Sequence, residues 1–268
     1  MKKILAFCLI AVIGLAAAGC KSKKAQLTPE ITSSDEALFK EAEKYVKKDP
    51  EKARLYLRQV IDSFPKSFFA QRAKLAVADS YFKEGDEGNM ILAAAEYREF
   101  ISLYPYSPSA SYAQYRVGLC FYDKSLRAGR DPSKTLQAMA EFKKVLSQYP
   151  LSEEAKLARD RIANCEQRLA EHEYQIGYVY YRLGAYKAAK NRLMEILTNY
   201  PLYPGLDKVY YYLGDSFYKS GANAEAAPYF TKLVSDYPKS KLSVKAQKLL
   251  KQIEAAPKKP APKKEVSR

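Results

Sequence analysis

Five times along this chain an aromatic residue is followed by proline: Phe64-Pro65, Tyr104-Pro105, Tyr149-Pro150, Tyr200-Pro201 and Tyr237-Pro238. The residues before each pair repeat as well. Twelve positions before each proline stands an alanine (Ala53, Ala93, Ala138, Ala189, Ala226), and eight before it a large apolar residue (Leu57, Tyr97, Phe142, Leu193, Phe230). Five and four before it stand two more: Val60-Ile61, Phe100-Ile101, Val145-Leu146, Ile196-Leu197 and Leu233-Val234. These spacings place the apolar side chains on one helix face. The proline then ends the helix, because it has no amide hydrogen and restricts the residue before it. The chain thus uses one helical unit five times.

Each unit also carries a first helix, marked by a small residue with aromatics three and four positions on. Ala78 precedes Tyr81-Phe82, Gly118 precedes Phe121-Tyr122, Gly177 precedes Tyr180-Tyr181 and Gly214 precedes Phe217-Tyr218, while Ala42 before Tyr45-Val46 is a weaker copy. Small residue, aromatic, alanine, large apolar residue and proline in this order resemble the tetratricopeptide repeat. The fold expected is therefore all-α, a tetratricopeptide-repeat solenoid of five helix pairs closed by a C-terminal capping helix, in which each repeat buries its apolar face on its neighbours.

The N-terminus reads as an address. Met1-Lys2-Lys3 is a short positive region, and Ile4 to Ala18 is an apolar stretch too short for a comfortable membrane span. It ends Leu15-Ala16-Ala17-Ala18-Gly19-Cys20, which resembles a bacterial lipobox. That resemblance implies cleavage before Cys20, acylation of Cys20, and stable anchoring by several acyl chains. Lys21 follows, not the aspartate of inner-membrane retention, so the expected location is the periplasmic face of the outer membrane. The expected segments are a signal peptide over 1–19, a flexible tether over 20–34, the solenoid over 35–256 and a disordered Lys/Pro-rich tail over 257–268. The formal charge of +15 falls to +13 without Lys2 and Lys3. A basic surface suits nucleic acid, anionic lipid or acidic protein, and the export signal argues against nucleic acid.

Within the solenoid two departures from the minimal repeat are visible. Repeat 3 carries an insertion from Asp123 to Ser133, and repeat 4 has a first helix uninterrupted by Gly or Pro from Glu153 to Ile176. The extra turns either project beyond the stack or bend into an additional helix near Ala170. Lys239 to Ala255 is amphipathic and reads as the cap. Cys120 and Cys165 lie in different repeats, so two free thiols are expected.

No catalytic constellation is found. His172 is the single histidine, without metal-ligand spacing to a partner, and no nucleophile elbow or phosphate-binding glycine loop is present. The chain reads as a binding protein with no metal or cofactor. Position counting from the small residues places Leu75, Tyr115, Tyr174 and Tyr211, then Asp79, Leu119, Tyr178 and Asp215, then Phe82, Tyr122, Tyr181 and Tyr218 along a concave, tyrosine-rich stripe. Such a stripe suits an extended peptide bearing aromatics, although the insertion and the extra helix are placed to cover part of it.

A lipobox followed by five such repeats resembles the BamD family of β-barrel assembly lipoproteins. Arg130-Asp131-Pro132 with Ala138, Phe142 and Tyr149-Pro150 is similar to that family's third repeat. Arg168-Leu169-Ala170, Glu173-Tyr174, Tyr180-Tyr181, Gly184-Ala185 and Asn191-Arg192 are similar to its fourth. The resemblance implies a scaffold that binds the POTRA domains of a BamA-like barrel protein, other lipoproteins of the complex, and unfolded outer-membrane proteins. It implies that Arg192, after Asn191, pairs with an acidic POTRA residue, a task suited to the guanidinium fork. It also implies that the N-terminal repeats receive the aromatic-ended strand of a client near Phe82, with Phe64 by the same pocket; Leu75, Asp79, Tyr115 and Tyr122 from the position count complete the expected groove. A tetratricopeptide adaptor of a Tol, cell-division or pilus-assembly complex is the alternative.

Overall fold

The computed structural model describes residues 34–122 and 131–255. The signal, Cys20, the tether up to residue 33, the insertion through Arg130 and the basic tail lie outside the described residues. Eleven helices are described: α1 (Asp35–Tyr45), α2 (Pro50–Ser63), α3 (Phe68–Glu84), α4 (Glu87–Leu103), α5 (Ala110–Tyr122), α6 (Ser133–Gln148), α7 (Glu153–Arg182), α8 (Tyr186–Asn199), α9 (Leu206–Lys219), α10 (Asn223–Asp236) and α11 (Lys241–Ala255). They form five consecutive pairs and a final single helix.

Each aromatic-proline pair does the same local work. The aromatic ends its helix with nearly one backbone conformation throughout, φ between −127 and −134° and ψ between 52 and 59°. Its amide still donates to the carbonyl four residues back, for example Tyr104 to Phe100 at 2.8 Å and Tyr200 to Ile196 at 2.9 Å. Its own carbonyl accepts from the third residue on, as from Ser107 to Tyr104 at 3.1 Å and from Ser240 to Tyr237 at 3.0 Å. Proline thus occupies the second position of a closed four-residue turn, where its fixed φ is favoured. Starts are capped by side chains: Asp49 accepts from the Lys52 amide, Asp86 from Asn89 and Ser152 from Ala155, each satisfying an orphan donor of the first turn.

The helices divide into two units, one ending at Ala70 and the other starting at Gln71. In the first, α1 pairs with α2. Leu38 and Ala42 of α1 and Ala53, Leu57 and Val60 of α2 are buried, and Tyr45 stacks on Tyr56 with ring centroids 5.8 Å apart. The second unit holds three apolar clusters in series. The first joins α3, α4 and α5 around Tyr97 and Phe100, the next joins α5, α6 and α7 around Phe142, and the last runs from α7 to α11 around Leu193 and Phe230. All five repeat alanines are fully buried. So are the apolar residues five before each proline, whereas those four before it are half-buried at the edge of the contact.

The small residue allows the close approach of paired helices. A β-carbon added at Gly118 would lie 2.5 Å from the Phe142 ring, and one at Gly214 2.8 Å from the Phe230 ring.

The long first helix of repeat 4 neither projects nor bends into a second helix. α7 is one helix of 30 residues, about 45 Å long at the usual rise. Its N-terminal half contributes Ala155, Ala158, Ile162 and Cys165 to the middle cluster, and its C-terminal half contributes Ala170 and Tyr174 to the last. The extra turns serve as a shared wall between two cores. Cys120 and Cys165 are buried in different clusters.

Candidate partner-binding site

Three of the residues expected to line a groove converge in the second unit. Leu75 packs on the first cluster, half-buried. Asp79, one position after the small residue Ala78, accepts hydrogen bonds at a single oxygen from the hydroxyls of Tyr97, at 2.5 Å, and Tyr112, at 2.9 Å. Arg116 donates to the Tyr97 hydroxyl at 3.0 Å and stands 3.7 Å from Asp79. Its guanidinium lies 3.6 Å above the ring of Phe82, a cation-π contact between partly desolvated groups. Burial, then the charge of Asp79, pushes both tyrosines up, Tyr112 to about 12. Their hydroxyls therefore stay neutral donors at neutral pH. The result is a fixed acid–aromatic–arginine surface with Phe82 half-buried at its edge. Phe64 belongs to the first unit, where it is half-buried and closes the turn after α2, its carbonyl accepting from Ser67 at 2.9 Å.

Tyr115 and Tyr122 correct the expectation of an open stripe. They are 8% and 9% exposed, with both rings against Phe142. Arg161 and Arg168 of α7 close over Tyr122, at 4.9 and 4.1 Å from its ring, and Arg161 donates to the Tyr115 hydroxyl at 3.3 Å. The turns that lengthen α7 roof this repeat, and neither ring offers a face to a ligand.

Farther along, the acid–aromatic arrangement returns. Asp215, one position after Gly214, accepts from Tyr181 at 2.5 Å and pairs with Lys219 at 3.2 Å. Tyr174, Tyr178 and Tyr181 stack in sequence along α7, and Tyr212 of α9 stands 4.8 Å from both Tyr178 and Tyr181.

Asn191 and Arg192 sit on α8, Asn191 exposed and the Arg192 side chain 43% exposed. Arg192 is held within the chain by Glu173 of α7 at 3.2 Å and Glu195 at 3.4 Å. Asn191, Met194, Glu195, Thr198 and Asn199 line a shallow depression of about 340 Å³. Asn199 also borders a cleft of about 330 Å³ between α7 and the turn up to Pro204, with Leu202 90% exposed at its rim. Sequence reasoning did not find this cleft. The apolar Leu202 after its aromatic-proline pair does not single the cleft out, because Tyr106 and Leu151 hold the same position in other repeats.

Among the described residues no group of three or more His, Cys, Asp or Glu is placed to hold a metal ion, and no helix is long and apolar enough to cross a membrane. Fold and sequence define a helical-repeat protein of the tetratricopeptide type. The family described as YfiO, outer membrane lipoprotein, matches residues 32–228. The chain belongs to that family. It is 29% identical to the outer membrane protein assembly factor BamD of Neisseria meningitidis serogroup A, over 90% of this chain and 93% of that one. It is 28% identical to the BamD of Rickettsia prowazekii, over 90% and 94%. Among solved structures, the TPR2AB domain of yeast Sti1 aligns with a TM-score of 0.41 and 12% identity, over 84% of this chain and 86% of that one, a likeness too loose to bear on function.

Proposed function

We propose that this chain is a scaffold lipoprotein of an outer-membrane β-barrel assembly machine. Acyl chains on Cys20 hold it on the periplasmic face, and it acts by binding, with no catalytic step, metal or cofactor. The observation that carries the reading is the family match over 32–228, together with assembly-factor relatives aligned along nine-tenths of the chain. On this reading the α8 face with Asn191 and Arg192 meets an acidic POTRA surface of a BamA-like barrel protein. The Asp79–Phe82–Arg116 surface receives the aromatic-ended strand of an unfolded barrel client. A half-exposed arginine beside a shallow depression supports the first assignment, since a fork of donors pairs well with a carboxylate. The ring of Phe82 under Arg116 supports the second, because aromatic and cationic groups together suit an aromatic residue with a terminal carboxylate. Other lipoproteins of the complex are further partners.

The test is an affinity capture of the natively lipidated protein from detergent-solubilised envelope, with partners identified by mass spectrometry. Recovery of a POTRA-containing barrel protein is expected. Recovery of Tol or pilus components in its place overturns the reading and moves the scaffold to another envelope complex.

A further inference from the structure

The last 30 residues hold a charge imbalance that the rest of the chain lacks. From Lys239 onward there are ten basic residues against Glu254 and Glu265, a net of +8 out of +15, so the preceding 238 residues carry only +7. On α11 the imbalance has a geometry. Ser243 and Ala246 are buried, and Leu242, Leu249, Leu250 and Ile253 pack on the last cluster. Lys241, Lys245, Lys248 and Lys251 are all exposed on the opposite side, continuing from exposed Lys239. The stripe from Lys241 to Lys251 is about 15 Å long. Exposed Val244 lies within it.

Two lysines on neighbouring helices are neutralised within the chain. Lys219 of α9 pairs with Asp215 and Lys232 of α10 pairs with Asp236. None of the five on or before α11 has an ion-pair or hydrogen-bond partner among the described residues. Cations this close repel one another within one or two screening lengths, and an anionic surface relieves that repulsion. The residue type indicates which surface. Nine of the ten basic residues are lysines. Recognition of a particular carboxylate favours the planar arginine fork, whereas lysine is a mobile, strongly hydrated point charge suited to an averaged field of phosphates. Where a lysine of this chain joins two helices through carboxylates, as Lys74 does to Glu96 and Glu99 at 2.8 and 2.7 Å, it is buried, unlike the exposed lysines of α11.

We propose that the exposed face of α11 is a docking surface for anionic phospholipid headgroups, holding the C-terminal end of the repeat stack against the membrane. The proposal rests on the membrane location of the family and on none of the protein partners assigned above.

The experiment uses the chain from Lys21 to Arg268, which retains every described residue and omits the lipid anchor. Its co-sedimentation is measured with vesicles of phosphatidylcholine alone and of phosphatidylcholine containing phosphatidylglycerol. Binding to the anionic vesicles only, and its loss at high salt, are expected. Each lysine near such a surface strengthens partitioning roughly fivefold. The combined variant Lys241→Gln, Lys245→Gln, Lys248→Gln is therefore expected to bind about a hundredfold more weakly, with unchanged helical circular dichroism. Removing three exposed lysines elsewhere, Lys83, Lys143 and Lys187, is expected to change binding less than threefold. Equal loss in the two triple variants, or indifference to phosphatidylglycerol alongside salt-sensitive retention on a polyglutamate resin, overturns the proposal. Because the vesicles contain no assembly partner, neither result bears on the scaffold reading.

Discussion

Arg192, the partner contact proposed above, is already paired within the folded chain. Its guanidinium is committed to Glu173 and Glu195, so a carboxylate on a partner must compete with two internal ones. An exposed ion pair contributes less than about 1 kcal/mol, which makes the exchange inexpensive. Arg192→Glu is expected to weaken binding to isolated POTRA domains at least tenfold while the melting temperature shifts by only a few degrees. Glu173→Gln is expected to tighten binding, roughly twofold to fivefold, by releasing the arginine. Titration calorimetry on both variants checks this, and an Arg192→Glu protein that binds like wild type removes Arg192 from the interface. Glu173 as a partner was not legible in the sequence, because it stands nineteen positions before Arg192 on a different helix. Phe82 supplies the matching test for the client surface. Phe82→Ala takes away the ring beneath Arg116 and is expected to cut photo-crosslinking to a peptide ending in an aromatic residue by more than half, with helicity retained. Crosslinking at the wild-type level would falsify the assignment of that surface.

At the scale of the element, the second helices were readable residue by residue, since a fixed spacing to proline sets their phase and burial follows phase. Tyr115 and Tyr122 were not, because their exposure is decided by the length of another helix. Counting positions in α5 cannot reveal that α7 has extra turns to lay Arg161 and Arg168 across them. The uninterrupted stretch from Glu153 was visible in the sequence, but its destination depended on packing. Since α7 contributes to both the middle and the last cluster, it couples their unfolding, as an interface does in a one-dimensional repeat array. Gln167 is exposed near the middle of α7. Proline there removes a helical hydrogen bond and kinks the chain at a cost of about 3 kcal/mol or more, whereas alanine is nearly neutral. Gln167→Pro is therefore expected to turn one cooperative denaturant transition into two, with Gln167→Ala retaining a single step. A single, merely shifted transition in the proline variant would show that the clusters are coupled through other helices.

Across the whole molecule, tyrosine is expected to set the alkaline limit of stability. The chain has 23 tyrosines and no tryptophan, and the hydroxyls of Tyr97, Tyr112, Tyr181 and Tyr203 donate to carboxylates. Burial is the leading cause that pushes Tyr112, Tyr181 and Tyr212 each up to about 12, with the charges of Asp79, Tyr178 and Asp215 adding to it. Burial likewise raises Tyr97, Tyr174 and Tyr203. In an unfolded chain the same groups titrate near 10. Between those values the folded state retains protons that the unfolded state has lost, so stability must fall as pH rises. The contribution is fully present below about pH 10 and is lost on approaching about pH 12. The expected outcome is a melting temperature nearly constant from neutral pH to about 9, then a steep decline in which several tyrosines ionise together as the helices unfold. Parallel measurement of tyrosinate absorbance and helical circular dichroism checks it. Coincident transitions are expected, because Tyr97, Tyr112, Tyr181 and Tyr203 cannot ionise in place without leaving Asp79, Asp215 or Glu171 facing a second negative charge. Independent titration near pH 10 with helicity intact would mean that the hydroxyl network does not restrain the repeats.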